Sequence, residues 1–224
     1  MGFYDGPSIV TNGLLLSLDA ADKNSYPGSG TVWNDLTNSG NNGSLVSTPT
    51  FSNTNGGNLI FNGTNQYVTF TDSGLLPTAG LTVSAWCKTT VADKWIIDKS
   101  AGGVTNGYFF AGTTIGGISM YINSINLTNP GGVLITNGNW MLLTGVWTPS
   151  TSIIIYQNET QLGITTTSIP ASINNPSANL RVAGRTTNID FWNGSLGSVS
   201  IYNRALSANE VSQNYNAQKS RFGL

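Results

Sequence analysis

No histidine occurs anywhere in the sequence. That removes the usual general base and the commonest neutral metal ligand. The single cysteine, Cys87, lies inside an apolar run and reads as a small buried hydrophobe. It cannot form a disulfide within the chain, and as a nucleophile it would lack a histidine partner. Charged residues make up 8% of the chain and the formal net charge is −1. Without a basic tract there is no surface that tracks phosphates, so nucleic acid is not an expected partner. No apolar run exceeds the length of a strand, so no membrane insertion is expected. The opening MGFYDGPSIVTNG has neither the basic start nor the unbroken apolar stretch of a secretion signal. The expectation is a chain made in the cytoplasm that reaches the outside by lysis, in a particle, or as part of something larger.

Helix signals are equally scarce. The one clear helix start is Ser207, with Glu210 three residues on as a capping box, and with Leu206 and Val211 at hydrophobic-staple spacing. Tyr215 continues the apolar stripe one turn later. A chain whose one signalled helix comes last must build its core from strands.

Strand material is abundant. Hydrophobic residues are 39% and aromatics 10%, with polarity carried by Asn, Thr, Ser and Gly. Segments at 14–20, 58–63, 67–72, 81–88, 95–99, 107–111, 117–122, 140–147, 152–157, 161–166, 179–184 and 193–202 read as strands, with turn signals at the spacing of a sandwich or barrel. In 81–88, Leu81, Val83, Ala85 and Cys87 share one face. Trp86 falls on the opposite, more polar face and predicts that this face is also covered. Residues 22–58 read as a long polar loop, uncommon inside a compact domain and either functional or held by its own packing. No strand–helix–strand alternation is present, which excludes a parallel α/β sheet. The predicted organisation is an arm over residues 1–12 and one domain over 13–224.

The order of LIFNGTNQYVTF, LTVSAWCK, WIIDKSAGGVTNGYFF, NGNWMLLTGVW, SIIIYQNETQLG, NLRVAGR and WNGSLGSVSIYNRALSANEV resembles the laminin-G-like group of concanavalin-A-like jelly rolls over about three-quarters of the chain. The last block is the most specific. One departure is that Met141 and Leu142 follow Trp140 where the family often has a histidine pair. The resemblance implies an all-β fold, a two-sheet antiparallel β-sandwich (concanavalin-A-like jelly roll) with one short C-terminal α-helix. Asn193–Tyr202 would be a central strand, and the helix would close one end of the sandwich. The N-terminal block and the ending QNYNAQKSRFGL are similar to those of virion proteins of tailed phages.

Candidate sites follow from these readings. Some enzymes of this fold place carboxylates on one strand as E-x-D-x-E, and glycoside hydrolysis normally needs two carboxylates about the bond. This chain has only Glu159, in a hairpin turn, and Glu210, in the capping box. It is therefore not expected to be an enzyme. The resemblance implies calcium at one rim of the sandwich. Asp19, Asp22 and Asp98 are the metal candidates, with Asp35, Asn41 and Asn42 further along, although such residues more often cap turns. For a saccharide, Trp95, Tyr108 and Trp192 beside Asn106, Asn188 and Asp190 would supply aromatic faces and polar groups. Burial is the plain alternative for the tryptophans, and surface charge for Arg181 and Arg185.

The function these readings favour is a non-enzymatic component of a phage virion: a capsid decoration, head fibre or tail-associated protein that binds surface glycans. Its partners would be other virion proteins, reached through the arm, and cell-surface glycans. Open sheet edges leave room for a homo-oligomer. The alternatives are a secreted or surface-attached bacterial lectin, working extracellularly, and, more weakly, a polysaccharide-degrading enzyme.

Overall fold

The computed structural model describes residues 7–71, 74–101, 105–128 and 130–224. In chain order the strands begin β1 (Leu14–Asp19), β2 (Val32–Trp33), β3 (Gly43–Val46), β4 (Thr50–Ser52), β5 (Asn58–Asn62), β6 (Tyr67–Thr69), β7 (Leu81–Thr89) and β8 (Trp95–Ser100). They continue as β9 (Gly107–Gly112), β10 (Ile118–Ile122), β11 (Ile125–Thr128), β12 (Met141–Thr148), β13 (Ser152–Gln157), β14 (Thr160–Thr165), β15 (Arg181–Val182) and β16 (Asn193–Tyr202). One helix, α1 (Ala208–Gln218), leads into a 3-10 turn over Lys219–Phe222.

The strands form two antiparallel sheets. Sheet A runs β14-β13-β12-β7-β16-β5-β4, with β1 also paired to β16. Sheet B runs β11-β10-β9-β8-β15-β6-β3-β2. As expected, β16 is central, between β7 and β5. The inner residues of β7 (Leu81, Val83, Ala85 and Cys87) lie in the main core between the sheets. Burial pushes the Cys87 thiol far above its usual range. At Gly145 the sheets approach closely: a Cβ there would stand 2.5 Å from the Met120 sulfur.

The outer face of sheet A is covered, as Trp86 predicts. Trp86 stacks with Phe222 at 4.1 Å and with Tyr215 at 5.8 Å, with Leu142 in the same cluster. The helix therefore lies on the outer face of sheet A, rather than closing one end of the sandwich. An apolar face fixes it there: Val211 joins Val146, Tyr156, Tyr202 and Leu206. The capping box is present, with Glu210 N–H donating to Ser207 Oγ and Ser207 N–H donating to Glu210 Oε2 at 2.9 Å. Arg204 donates to the same carboxylate at 2.9 Å and is the main reason its pKa is lowered to about 2.

Two sequence expectations change. Residues 22–58 contain β2, β3 and β4, and Tyr26, Trp33 and Leu45 reach the main core. Strands of two to four residues are too short to show a period. The segment read as an uncommitted arm is described from residue 7, and residues 7–12 are committed to the domain. Val10 is buried beside α1, its N–H donates to Asn214 Oδ1 and its carbonyl accepts from the Tyr202 hydroxyl. Gln213 and Arg204 donate to the carbonyls of Ser8 and Asn12. Residues 1–6 lie outside the described residues. Among the described residues no helix is long and apolar enough to cross a membrane.

Candidate functional site: an aromatic groove on sheet B

α1 and residues 7–12 pack on sheet A, and the outer face of sheet B carries a row of its own aromatic side chains. A register irregularity between Trp95 and Ile97 lets both Ile96 and Ile97 enter the core while Trp95 faces outward. Cross-strand pairing then sets two rows on this face. Trp95, Ala111, Ser119 and Thr128 stand opposite one another across β8, β9, β10 and β11. Asp98, Phe109, Tyr121 and Asn126 form the neighbouring row.

The large rings of these rows stack. Trp95 and Phe109 lie 4.1 Å apart at 27°, and Phe109 and Tyr121 lie 4.2 Å apart at 19°. Strands are spaced by about 4.8 Å, so the rings stand on successive strands like plates, face against face. Trp95 is 7% and Phe109 5% exposed for that reason, whereas Tyr121 is half-buried. Beside the rings runs a groove of about 330 Å³, floored by Ala111, Ser119 and Thr128 and walled on its far side by Asp93 and the turn at 112–114.

The loop between Ala183 and Phe191 completes the site. Arg185 places its guanidinium carbon 4.7 Å from the Trp95 ring centre and pairs with Asp190 at 3.4 Å. Arg181 donates to the Arg185 carbonyl and to Asn188 Oδ1, and lies 3.9 Å over Tyr67, which stacks on Phe191. Buried Asp98 anchors the loop: Thr186 N–H donates to its Oδ2 at 2.7 Å and the Ser100 hydroxyl to its Oδ1 at 2.6 Å. Desolvation raises the Asp98 pKa, against the lowering effect of these hydrogen bonds and of Arg185. Ala183, Asn188 and Asp190 all have positive φ. Left-handed backbone is uncommon for residues other than glycine, and its concentration in one loop marks a shape held by its surroundings. Across the loop lies a polar hollow of about 320 Å³ bordered by Thr69, Asn179, Arg181 and Thr186.

Of the six residues expected to bind a saccharide, the structure brings Trp95, Asn188 and Asp190 to this loop and face. Tyr108 and Trp192 are corrections. Both alternate into the main core, where Tyr108 donates its hydroxyl to the Leu75 carbonyl at 2.8 Å and Trp192 is 0% exposed. Neither can offer a ring face to a ligand. Asn106 is exposed and accepts from Asn174, but it precedes β9, about 10 Å of strand from Phe109, and does not line the groove. Missed were Phe109 and Tyr121, which look like core in GYFFAG and ISMYI. Also missed was Arg185, which the sequence presents as surface charge.

The metal candidates do not form a set. Both Asp19 oxygens are bonded by Arg221, at 2.7 and 2.9 Å. Asp22 caps the Asn24 N–H at 2.8 Å, and Asp98 is on the other sheet. Asp35 is used by Ser17, Thr37 and Asn41, the turn-capping role weighed as the alternative. Among the described residues no three acidic, cysteine or histidine side chains come together as metal ligands. Asp19 and Asp22 border a larger hollow of about 910 Å³ between residues 7–9 and 217–221, but it presents no aromatic ring.

Comparison with known proteins agrees with this architecture. The binding domain of Paraclostridial Mosquitocidal Protein 1 superposes with a TM-score of 0.67 at 13% identity, over 91% of this chain and 52% of that one. The botulinum neurotoxin serotype D ligand binding domain in complex with N-acetylneuraminic acid gives 0.67 at 15%, over 92% and 51%. The chain thus spans about half the length of these toxin domains. Domain 4 of AbnA, a GH43 extracellular arabinanase from Geobacillus stearothermophilus in complex with arabinotriose, gives 0.66 at 17%, over 90% and 98%. At such identities the likeness is one of fold. No curated protein matches the sequence. The family profile described as the concanavalin A-like lectin/glucanases superfamily matches residues 62–212, and the chain belongs to that superfamily.

Proposed function

We propose that the chain is a carbohydrate-binding module that holds a saccharide in the groove on the outer face of sheet B. The observation that carries this is the ring row Trp95–Phe109–Tyr121 beside a groove lined by the hydroxyls of Thr113, Ser119 and Thr128, the Asp93 carboxylate and the Arg185 guanidinium. Sugars present apolar C–H faces and polar edges, and pockets that bind small molecules combine apolar walls with a few fixed polar groups. A volume of about 330 Å³ is at the lower end of such pockets, which suits one or two sugar rings. The printed complexes of two similar folds, with arabinotriose and with N-acetylneuraminic acid, favour the same class of ligand.

Binding without catalysis is the accompanying proposal. Glu210 is engaged by Arg204 and the helix cap, and Glu159 accepts from Ser212 and Asn216. The similar structures cited above are named as binding domains or, for the arabinanase, as its domain 4.

A place on a tailed-phage virion is supported by the resemblance of the N-terminal block. Because residues 7–12 are tied to the domain through α1, Tyr202 and Arg204, docking to other virion proteins is assigned to residues 1–6. Deleting residues 1–6 should release the protein from particles while leaving it folded, and continued decoration would reject the assignment. Mass spectrometry of purified virions separates this placement from that of an extracellular bacterial lectin. A glycan array tests the binding function itself: the wild-type chain should retain at least one saccharide class that Thr128→Trp, which fills the groove from an exposed position, loses.

A further inference from the structure

The rings of the groove do not offer equal faces. Phe109 has Trp95 on one side and Tyr121 on the other. Trp95 has Phe109 on one side and the Arg185 guanidinium on the other. Tyr121 is different. Phe109 takes one face, and among the described residues no ring or cation stacks on the face turned towards β11. Tyr121 is also the least covered of the three.

The strand beside that face is β11, the edge of sheet B. Directly opposite Tyr121 in the register is Asn126, with Thr128 two residues on, and both are exposed on the same face. Ile125 and Leu127 alternate inward to pack against the core, which fixes the outward direction of Asn126 and Thr128. An aromatic face flanked by an amide and a hydroxyl thus stands at the open edge of the sheet. The charged members of the site, Asp93, Arg185 and Asp190, gather at the opposite, β8 end of the ring row.

We propose that the sugar ring stacks on the β11-facing side of Tyr121, that Asn126 hydrogen-bonds its edge, and that the ring bound there is neutral. Trp95 and Phe109 are then positioning residues, which hold Tyr121 upright and do not themselves contact the sugar face. This inference rests on the glycan-binding reading and adds the subsite and the charge class of the sugar. A neutral ring follows from its neighbours: Asn126 and Thr128, which flank it on β11, are uncharged, and the charged groups of the groove, Asp93 and Arg185, stand at the β8 end of the ring row.

The test uses the isotope-labelled full chain, titrated with methyl glycosides of glucose, galactose and xylose and, separately, with N-acetylneuraminic acid. At least one neutral glycoside should shift the backbone signals of Tyr121, Asn126 and Thr128. Tyr121→Ala and Asn126→Ala should each weaken it about tenfold or more, the scale of one lost stacking or hydrogen-bonding contact. Tyr121→Phe should keep most of the affinity, and Trp95→Phe, which preserves the stack, should lose less than Tyr121→Ala. Asn126 is exposed, so Asn126→Ala reads binding without disturbing the fold. Two outcomes overturn the inference while leaving the glycan-binding reading intact. One is a glycoside that binds with unchanged affinity to Tyr121→Ala and Asn126→Ala. The other is binding of N-acetylneuraminic acid alone, lost in Arg185→Ala. A chain that retains no saccharide on an array removes both readings together.

Discussion

Arg185 lies over Trp95, 4.7 Å from guanidinium carbon to ring centre, and closes the end of the aromatic row on sheet B. The contact is a cation–π pair, of the order of 0.5–2 kcal/mol. Its larger consequence is geometric. It occupies one face of Trp95, one of the three rings that the sequence offers for a saccharide, and leaves Tyr121 at the far end of the row as the ring with a free side.

The loop that carries Arg185 depends on Asp98. Asp98→Ala strands the Thr186 N–H and the Ser100 hydroxyl, and the expected cost is about 2–4 kcal/mol of unfolding free energy. Saccharide affinity should fall with it. Urea titration reads the first effect and array retention the second. A variant as stable as the wild type would show that the loop is held by other contacts.

Acid stability should depend on Glu210. Its pKa is about 2 in the fold, held there first by Arg204 and then by the cap. An unfolded glutamate titrates near 4.3. The folded value is the lower one, so this contribution is complete above the unfolded value and is lost as pH falls from about 5 towards 2. Urea midpoints measured across that window should decline less steeply in Glu210→Gln than in the wild type. At neutral pH Ser207→Ala should cost about 1 kcal/mol through loss of the cap, which for a domain of this size is a melting-temperature drop of about 2–4 °C.

How much of this was legible in the sequence depended on distance along the chain. The cap of α1 was readable because Ser207, Glu210, Leu206 and Val211 lie within six residues. Trp86 was readable because a nine-residue strand shows its period, and its odd placement foretold a covered face. The site was harder. Tyr108, Phe109 and Phe110 are adjacent aromatics, and only the pairing of β9 with β8 and β10 decides that Phe109 faces outward. The irregularity after Trp95 leaves no mark on composition. For Tyr121 a signal existed: it interrupts the inward series Ile118, Met120, Ile122. The proximity of Arg185 to Trp95 spans ninety residues and has no local trace.

Close sheet packing gives a fold-level prediction. Gly145→Ala would push a methyl against Met120 and Phe110, and overpacking of this kind costs about 1–3 kcal/mol. Thermal unfolding should show it, and an unchanged melting temperature would mean that the two side chains yield freely.

Calcium was expected at Asp19, Asp22 and Asp98. Arg221 already bonds both Asp19 oxygens and also the carbonyls of Asn55 and Gly57. Excess calcium should therefore leave the melting temperature where EDTA leaves it, whereas Arg221→Ala should lower it by breaking several charged hydrogen bonds at once. A calcium-dependent rise, which any ligand of the folded form alone must produce, would restore a metal site to the fold.

The central claim is that the groove on sheet B holds the saccharide. Titration calorimetry with the saccharide best retained on an array tests it most directly, comparing the wild type with Thr128→Trp at equal melting temperature. Filling the groove should reduce affinity by at least about tenfold, or about 1.4 kcal/mol. Equal affinity in the two proteins would contradict the claim and place the binding surface elsewhere on the sandwich.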